Sequence, residues 1–218
     1  DGKAGGERMK RCLVCGQSIN AQQDFYHWLK CDSLLCGECL GNLIPLRKSY
    51  QIDRLKVHVL YEYNDFIEGM LFQYKEGLDV VLRSCFLYED KRYIENRYRK
   101  HTLLLMPSSK EKTQERGFHA LKEMSDILKL KKLQPFYKSK NRKQSALNYE
   151  QRLSIGDIIQ LDRTIPLPKR RLLLFDDVCT SGSTLTSAYH LLQQQNQTAE
   201  ALVLCANPLF IERNPCVK

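Results

Sequence analysis

Two carboxylates, Asp176 and Asp177, stand just ahead of a run of hydroxyls and one glycine, Thr180-Ser181-Gly182-Ser183-Thr184. Small residues that lead into a helix suit a phosphate. Backbone N–H groups and the positive end of the helix dipole face the anion, and Ser and Thr hydroxyls add donors. Gly182 is expected to let the backbone approach that anion with no Cβ in the way. The two acids would repel a phosphate, so they must hold a hydrogen-bond donor a short distance from it. A ribose 5-phosphate offers both, its hydroxyls to the acids and its phosphate to the loop. The alternative is a buried strand followed by a capped helix, in which Thr180, Ser181 or Ser183 serves only as the cap.

A second constellation lies near the start of the chain. Cys12-Leu-Val-Cys15 and Cys36-Gly-Glu-Cys39 are two C-x-x-C turns separated by twenty residues. Each turn presents two thiolates, and two such turns face to face make a tetrahedral site for structural zinc. Redox dithiols or plain buried cysteines are the alternatives. Cys31 lies outside any C-x-x-C and is ranked a spare ligand; His27, between Tyr26 and Trp28, is a weaker candidate. Bound zinc would give a module of some forty residues the stability that apolar burial alone does not supply.

These residues need elements to hold them. Leu172 to Phe175 is a continuous apolar run, which predicts a strand buried on both faces and ending at the acids. Leu185, Ala188, Tyr189 and Leu192 share one face of the helix that follows. Upstream, strands are expected over Val57 to Tyr63 and Thr102 to Met106, and downstream over Ala199 to Ala206. Helices are expected around Phe66 to Lys75, over Leu78 to Leu87, and from about His119 to Leu130. Alternating strands and helices predict an α/β domain with a mostly parallel sheet. Pro45 closes the cysteine module, and a polar link is expected to run to about Arg54. The division is thus 1–8, a cloning remnant ahead of a native start at Met9, then a zinc module over 9–46 and the α/β domain over 54–218.

The formal charge of +9 points to a polyanionic partner and says nothing about fold. No run of about 18 apolar residues exists, so membrane insertion is not expected. Nine cysteines with no apolar leader argue for a reducing, cytoplasmic setting and for metal rather than disulfides. Lys131, Lys132, Tyr137, Lys138, Lys140, Arg142 and Lys143 combine phosphate partners with an aromatic, a pairing suited to single-stranded nucleic acid. The alternative for this stretch is a solvated loop.

The stretch Leu-Leu-Leu-Phe-Asp176-Asp177-Val-Cys-Thr-Ser-Gly-Ser-Thr resembles the phosphoribosyl pyrophosphate (PRPP) motif of type I phosphoribosyltransferases. Joined to a four-cysteine module, it resembles the ComF family of competence proteins, from Met9 to about Pro208. Other family-like pieces are Tyr61-Glu-Tyr63, Tyr74-Lys75, Arg116-Gly117-Phe118, and Gln144 with Leu147 and Arg152. The resemblance implies that Asp176 and Asp177 hold the ribose hydroxyls of PRPP·Mg²⁺ and that Thr180 to Thr184 wrap its 5-phosphate. Arg116 would meet the pyrophosphate in bidentate fashion; the alternative is a surface ion pair with Glu115 or Glu111. The chain departs from the family pattern at Met106-Pro107-Ser108, where a Pro-Val-Pro-like turn is usual, and at His119, where an Asn is usual. Those departures bear on the pyrophosphate loop.

Three functions are weighed. One is a DNA-uptake accessory acting on single-stranded DNA in the cytoplasm beside a ComFA-like helicase. Another is an active phosphoribosyltransferase on an unknown acceptor. The last is a PRPP-gated regulator of duplex DNA, against which the lack of a helix-turn-helix pattern counts. Purine-salvage transferases carry an Asp where this chain has Thr180, and a threonine is no general base near neutral pH. Orotate-type transferases lack that Asp too.

Overall fold

The computed structural model describes residues 10–19, 33–139 and 158–217. Its centre is a seven-stranded sheet in the order β4-β3-β7-β8-β2-β1-β9. These strands are β1 (Pro45–Ile52), β2 (Leu55–Glu62), β3 (His101–Leu105), β4 (Lys131–Leu133), β7 (Arg171–Cys179), β8 (Ala199–Ala206) and β9 (Cys216–Val217). From β4 to β2 every neighbour is parallel, while β1 runs antiparallel to both β2 and β9. The expected architecture, a mostly parallel sheet preceded by a four-cysteine module, is present. A separate antiparallel pair, β5 (Phe136–Ser139) and β6 (Ile158–Leu161), lies against the helix that follows β7.

The helices are α1 (Gly37–Gly41), α2 (Asp65–Lys75), α3 (Cys85–Tyr88), α4 (Lys91–Tyr98), α5 (Lys110–Arg116), α6 (Ala120–Ser125), α7 (Ser183–Gln193) and α8 (Pro208–Arg213). Leu172 to Phe175 of β7 are buried, as a strand covered on both faces requires. In α7 the buried set is Leu185, Ala188, Tyr189 and Leu192, the face anticipated from spacing. Asn64 caps α2 by accepting from the Ile67 N–H at 3.0 Å, and Ile67, Met70, Leu71 and Tyr74 form its inner face.

Three local expectations give way. The polar link does not exist as such: residues 45–52 form β1, so the sheet begins at Pro45 rather than near Arg54. Only Ser49 and Tyr50 of that strand are buried, and a strand with three exposed and three half-buried residues carries little apolar signal. The helix expected over Leu78 to Leu87 is a 3₁₀ turn, Val80–Ser84, followed by α3. Leu78 sits in the left-handed region at φ 57°, and Asp79 caps the turn by accepting from the Val81 N–H. The helix expected to reach Leu130 stops at Ser125.

The cysteine module does not hang free of the sheet. Cys12, Leu35, Cys36, Cys39 and Leu43 belong to one apolar cluster with Val59, Leu60, Leu82 and Leu87.

The strand order also fixes where a ligand belongs. From β3 the chain passes outward to β4, whereas from β7 it passes the other way to β8. The sheet therefore reverses direction between β3 and β7. In open parallel sheets, the crevice outside the carboxyl ends of the two strands at such a switch receives the ligand.

Candidate functional site

Asp176 and Asp177 lie at the carboxyl end of β7, beside that crevice, and Thr180 to Thr184 carry the chain into α7. Each acid is pinned by a neighbouring amide. Asp176 Oδ1 accepts from the Asp177 N–H at 3.0 Å, and Asp177 Oδ1 from the Val178 N–H at 2.8 Å. Asp177 Oδ2 is taken by the Lys75 ammonium, at the end of α2. Burial, and then the adjacent Asp177 charge, push the Asp176 carboxyl up to about 7, while Lys75 and Lys138 pull the other way. The pair thus carries less negative charge near neutral pH than two free carboxylates would. A protonated Asp176 can donate as well as accept, and the lowered charge repels a nearby phosphate less.

In the loop, Thr180, Ser181 and Ser183 are exposed and Gly182 is buried. Ser181 Oγ accepts from the Ser183 N–H at 3.3 Å and donates to Ser183 Oγ at 3.0 Å, so it provides part of a helix cap. Two donors of the first turn, the N–H groups of Thr184 and Leu185, have no intrahelical partner by position. Gly182 also has a role within the protein. Its φ is +77°, and a Cβ there would collide with Ile52 Cδ1 and lie 3.4 Å from Phe210 Cε2. The glycine makes room for the core and for a left-handed turn.

The end of α2 ties the rest of the site together. Tyr74 donates to the Ala120 carbonyl at 2.8 Å, Lys75 holds Asp177, and Glu76 pairs with Arg116 at 2.5 Å. Arg116 is therefore ion-paired, but with Glu76 rather than Glu115 or Glu111. Its side chain is 8% exposed, and its buried Nε has no hydrogen-bond partner among the described residues. Gly117 ends α5 at φ +75° and Phe118 packs on the Tyr74 ring at 5.4 Å. His119, standing where an Asn is usual, caps α6: its Nδ1 accepts from the Lys122 N–H at 3.3 Å. Sequence alone assigns no role to Lys75 or Glu76; the pairing of Tyr74 with Lys75 is the one signal available.

The basic segment divides. Lys131 is exposed at the start of β4, at the opposite end of the sheet from the acids. The Lys132 ammonium donates to the Leu128 carbonyl at 2.8 Å. Tyr137 is 40% exposed and donates to Gln160 at 2.7 Å, while Lys138 lies within electrostatic reach of Asp176. Lys140, Arg142, Lys143, Gln144, Leu147 and Arg152 fall outside the described residues, as do Cys31 and His27.

The four cysteines converge. The sulfurs of Cys12, Cys15, Cys36 and Cys39 all lie within 4.8 Å of one another, with Cys15 and Cys36 at 3.6 Å. Tetrahedral thiolates on zinc sit about 3.8 Å apart, given metal–sulfur bonds near 2.3 Å. The set therefore fits a metal ion. Gly16 turns the first knuckle at φ +73°, its N–H bonding to the Cys12 carbonyl at 2.9 Å; Leu13 N–H to the Leu34 carbonyl at 3.1 Å joins the two knuckles. Burial disfavours a Cys12 thiolate, but backbone N–H groups of Cys15, Cys36 and Val14 outweigh it and lower the thiol to about 7. Burial raises the Cys39 thiol.

No family model matches the chain. Two curated proteins match along most of it. Competence protein ComFC of Streptococcus pneumoniae is 22% identical over 211 residues, covering 84% of this chain and 94% of that protein. Competence protein ComFC of Bacillus subtilis is 28% identical over 200 residues, covering 86% and 73%. The chain is similar to the ComFC competence proteins along most of its length. Among solved structures, orotate phosphoribosyltransferase from Aeropyrum pernix aligns at 14% identity over 77% of this chain and 90% of that one, with a TM-score of 0.28. No helix among the described residues is long and apolar enough to cross a membrane.

Proposed function

We propose that the chain is a ComFC-type competence protein that binds PRPP, or a related phosphoribosyl ligand, and handles single-stranded DNA during natural transformation. The observation that carries this reading is the acid pair and hydroxyl loop at the sheet's switch point. Asp176, largely protonated below about pH 7, and Asp177, held by Lys75, accept hydroxyls of a ribose. The first turn of α7 and the hydroxyls of Thr180, Ser181, Ser183 and Thr184 receive its 5-phosphate. Arg116, whose buried Nε lacks a partner among the described residues, serves the pyrophosphate once Glu76 shares it. Mg²⁺ arrives with the PRPP and offsets the pyrophosphate charge. Zinc fills the thiolate set and closes the N-terminal module.

The DNA partner, a ComFA-like helicase and work in the cytoplasm are part of this proposal, and the similarity to competence proteins supports them. The formal charge of +9 supports a polyanionic partner. Thr180 is no general base near neutral pH, which favours ligand binding, and transfer to an unknown acceptor is the second reading because orotate-type transferases lack that acid too. Calorimetry with PRPP·Mg²⁺ tests it. A saturable heat, and a thermal stabilisation of about 2.7 kcal/mol at a hundredfold excess over Kd, are expected. Absence of both would remove PRPP from the proposal, and release of pyrophosphate with a candidate base would make the chain a transferase.

A further inference from the structure

The end of the sheet remote from the acid pair carries a concentration of positive charge. Register brings it together. His101 pairs with Arg171 across β3 and β7, and Thr102 pairs with Lys131 across β3 and β4. The residues entering these three adjacent strands are therefore neighbours: Arg99 and Lys100 before β3, Lys169 and Arg170 before β7, and Lys129 before β4. All of these, with Lys131 and Arg171, are exposed. Arg97 belongs to the same group, since its charge and that of Arg171 both act on buried His101. Two acids among the described residues lie beside them and keep their charge: Glu95 accepts from the Lys129 N–H at 2.7 Å, and Glu200 lies 3.9 Å from His101, which burial holds neutral. The cations outnumber them.

We infer that this amino-terminal end of the parallel sheet is where a single nucleic-acid strand docks through its phosphates. The inference rests on the nucleic-acid part of the proposed function and gives it a location. Three features choose this partner. The cations follow neighbouring strands about 4.8 Å apart, so three strands make a row roughly 10 Å across, wide enough to follow one phosphate backbone. Among the described residues, none of the exposed large apolar side chains (Ile44, Phe72, Leu78, Val81, Tyr137, Leu209) belongs to this end, so none there would enter a lipid surface or make the dry centre of a protein interface. Charge without base-reading groups gives sequence-blind binding. The strand and the phosphoribosyl ligand would then occupy opposite ends of one sheet and bind together.

The test compares two variants of the full chain that remove equal charge. The first is Arg99→Ala, Lys100→Ala, Arg170→Ala and Arg171→Ala. The second, on exposed positions elsewhere, is Lys48→Ala, Lys110→Ala, Lys112→Ala and Lys122→Ala. Labelled oligonucleotides of equal length, a poly-dT strand, a mixed-sequence strand and a duplex, are titrated between low and near-physiological salt. For the first variant the slope of log K against log salt should flatten by up to about 3 units, about 0.7 for each lost phosphate contact. Both single strands should weaken alike, and the thermal shift given by PRPP should stay. The second variant should keep most of the wild-type slope. Should Arg171→Ala unfold the strand, Lys169→Ala replaces it in the set. Equal flattening in both variants, an unchanged first variant, or stronger wild-type binding of the duplex would overturn the inference alone. A wild-type chain that binds no oligonucleotide would overturn the nucleic-acid reading as well.

Discussion

Lys75 is the residue whose removal should be most informative. Its side chain is 21% exposed and that of Asp177 14%, so the pair is poorly screened by water. Two unit charges about 4 Å apart interact by roughly 4 kcal/mol at an effective dielectric near 20. Partial hydration of the stranded carboxylate recovers some of that, which leaves a cost of about 2–4 kcal/mol for Lys75→Met. In a chain of this size the melting temperature should fall by roughly 5–15 °C. The loss should depend on pH in a fixed direction. With its folded value raised to about 7, Asp176 contributes stability that is complete below the ordinary carboxylate value near 4 and lost as pH rises through 7. Without the ammonium, Asp176 must ionise beside an uncompensated Asp177, so the variant's deficit should be larger at about pH 8 than at about pH 4.5. Thermal melts of wild type, Lys75→Met, Asp177→Asn and the double variant at both pH values form a cycle that isolates the pair. A deficit equal at the two pH values, or a double variant no better than the sum of the singles, would refute the assignment of Lys75 to Asp177.

Metal analysis of protein purified without added zinc should find about one zinc per chain, and Cys12→Ser or Cys39→Ser should lose it. Burial, aided by the charges of Arg97, Lys56 and Arg47, pushes His58 down to about 4, where it links Ser49 Oγ at 3.1 Å and Tyr93 OH at 2.9 Å. Its neutral form should therefore contribute about 3 kcal/mol that is present above about pH 6.5 and lost as pH falls through about 4. Urea midpoints at about pH 7.5 and about pH 4.5 should differ less in His58→Gln than in wild type. Gly182→Ala should cost upward of about 1 kcal/mol through its positive φ and its approach to Ile52, with partial rescue by Ile52→Ala in chemical denaturation.

What can be read from the chain alone follows from how local the signal is. The strand, acids, hydroxyl loop and helix from Leu172 to Leu192 are contiguous, and burial on both faces of β7 leaves an uninterrupted apolar run. The two knuckles are equally local, because each C-x-x-C sets its own turn. β1 reads as a link because one exposed face dilutes its pattern, and β4 to β6 escape notice because strands of three or four residues leave no periodicity to detect. The partners of Lys75 and Glu76 are invisible for another reason. Asp177 and Arg116 lie far along the chain from them, and only the packing of α2 at the sheet's end brings those charges together.

The sharing of one core by the knuckles and the sheet has a bearing on synthesis. Each knuckle can close as soon as its own residues leave the ribosome, since its bonds span a few positions. Leu35 and Leu43 are buried in one core with residues made later, and Ser33 must wait for its bond to Glu89, 56 positions on. At about 5–20 residues per second that interval lasts roughly 3–11 s. During it a nascent chain presents greasy surface to chaperones and to other nascent chains, and an early-captured metal would keep the exposed piece small and ordered. Shortage of the metal in a growing cell should then lower the yield of intact protein at the moment of translation, before any mature molecule has been stripped.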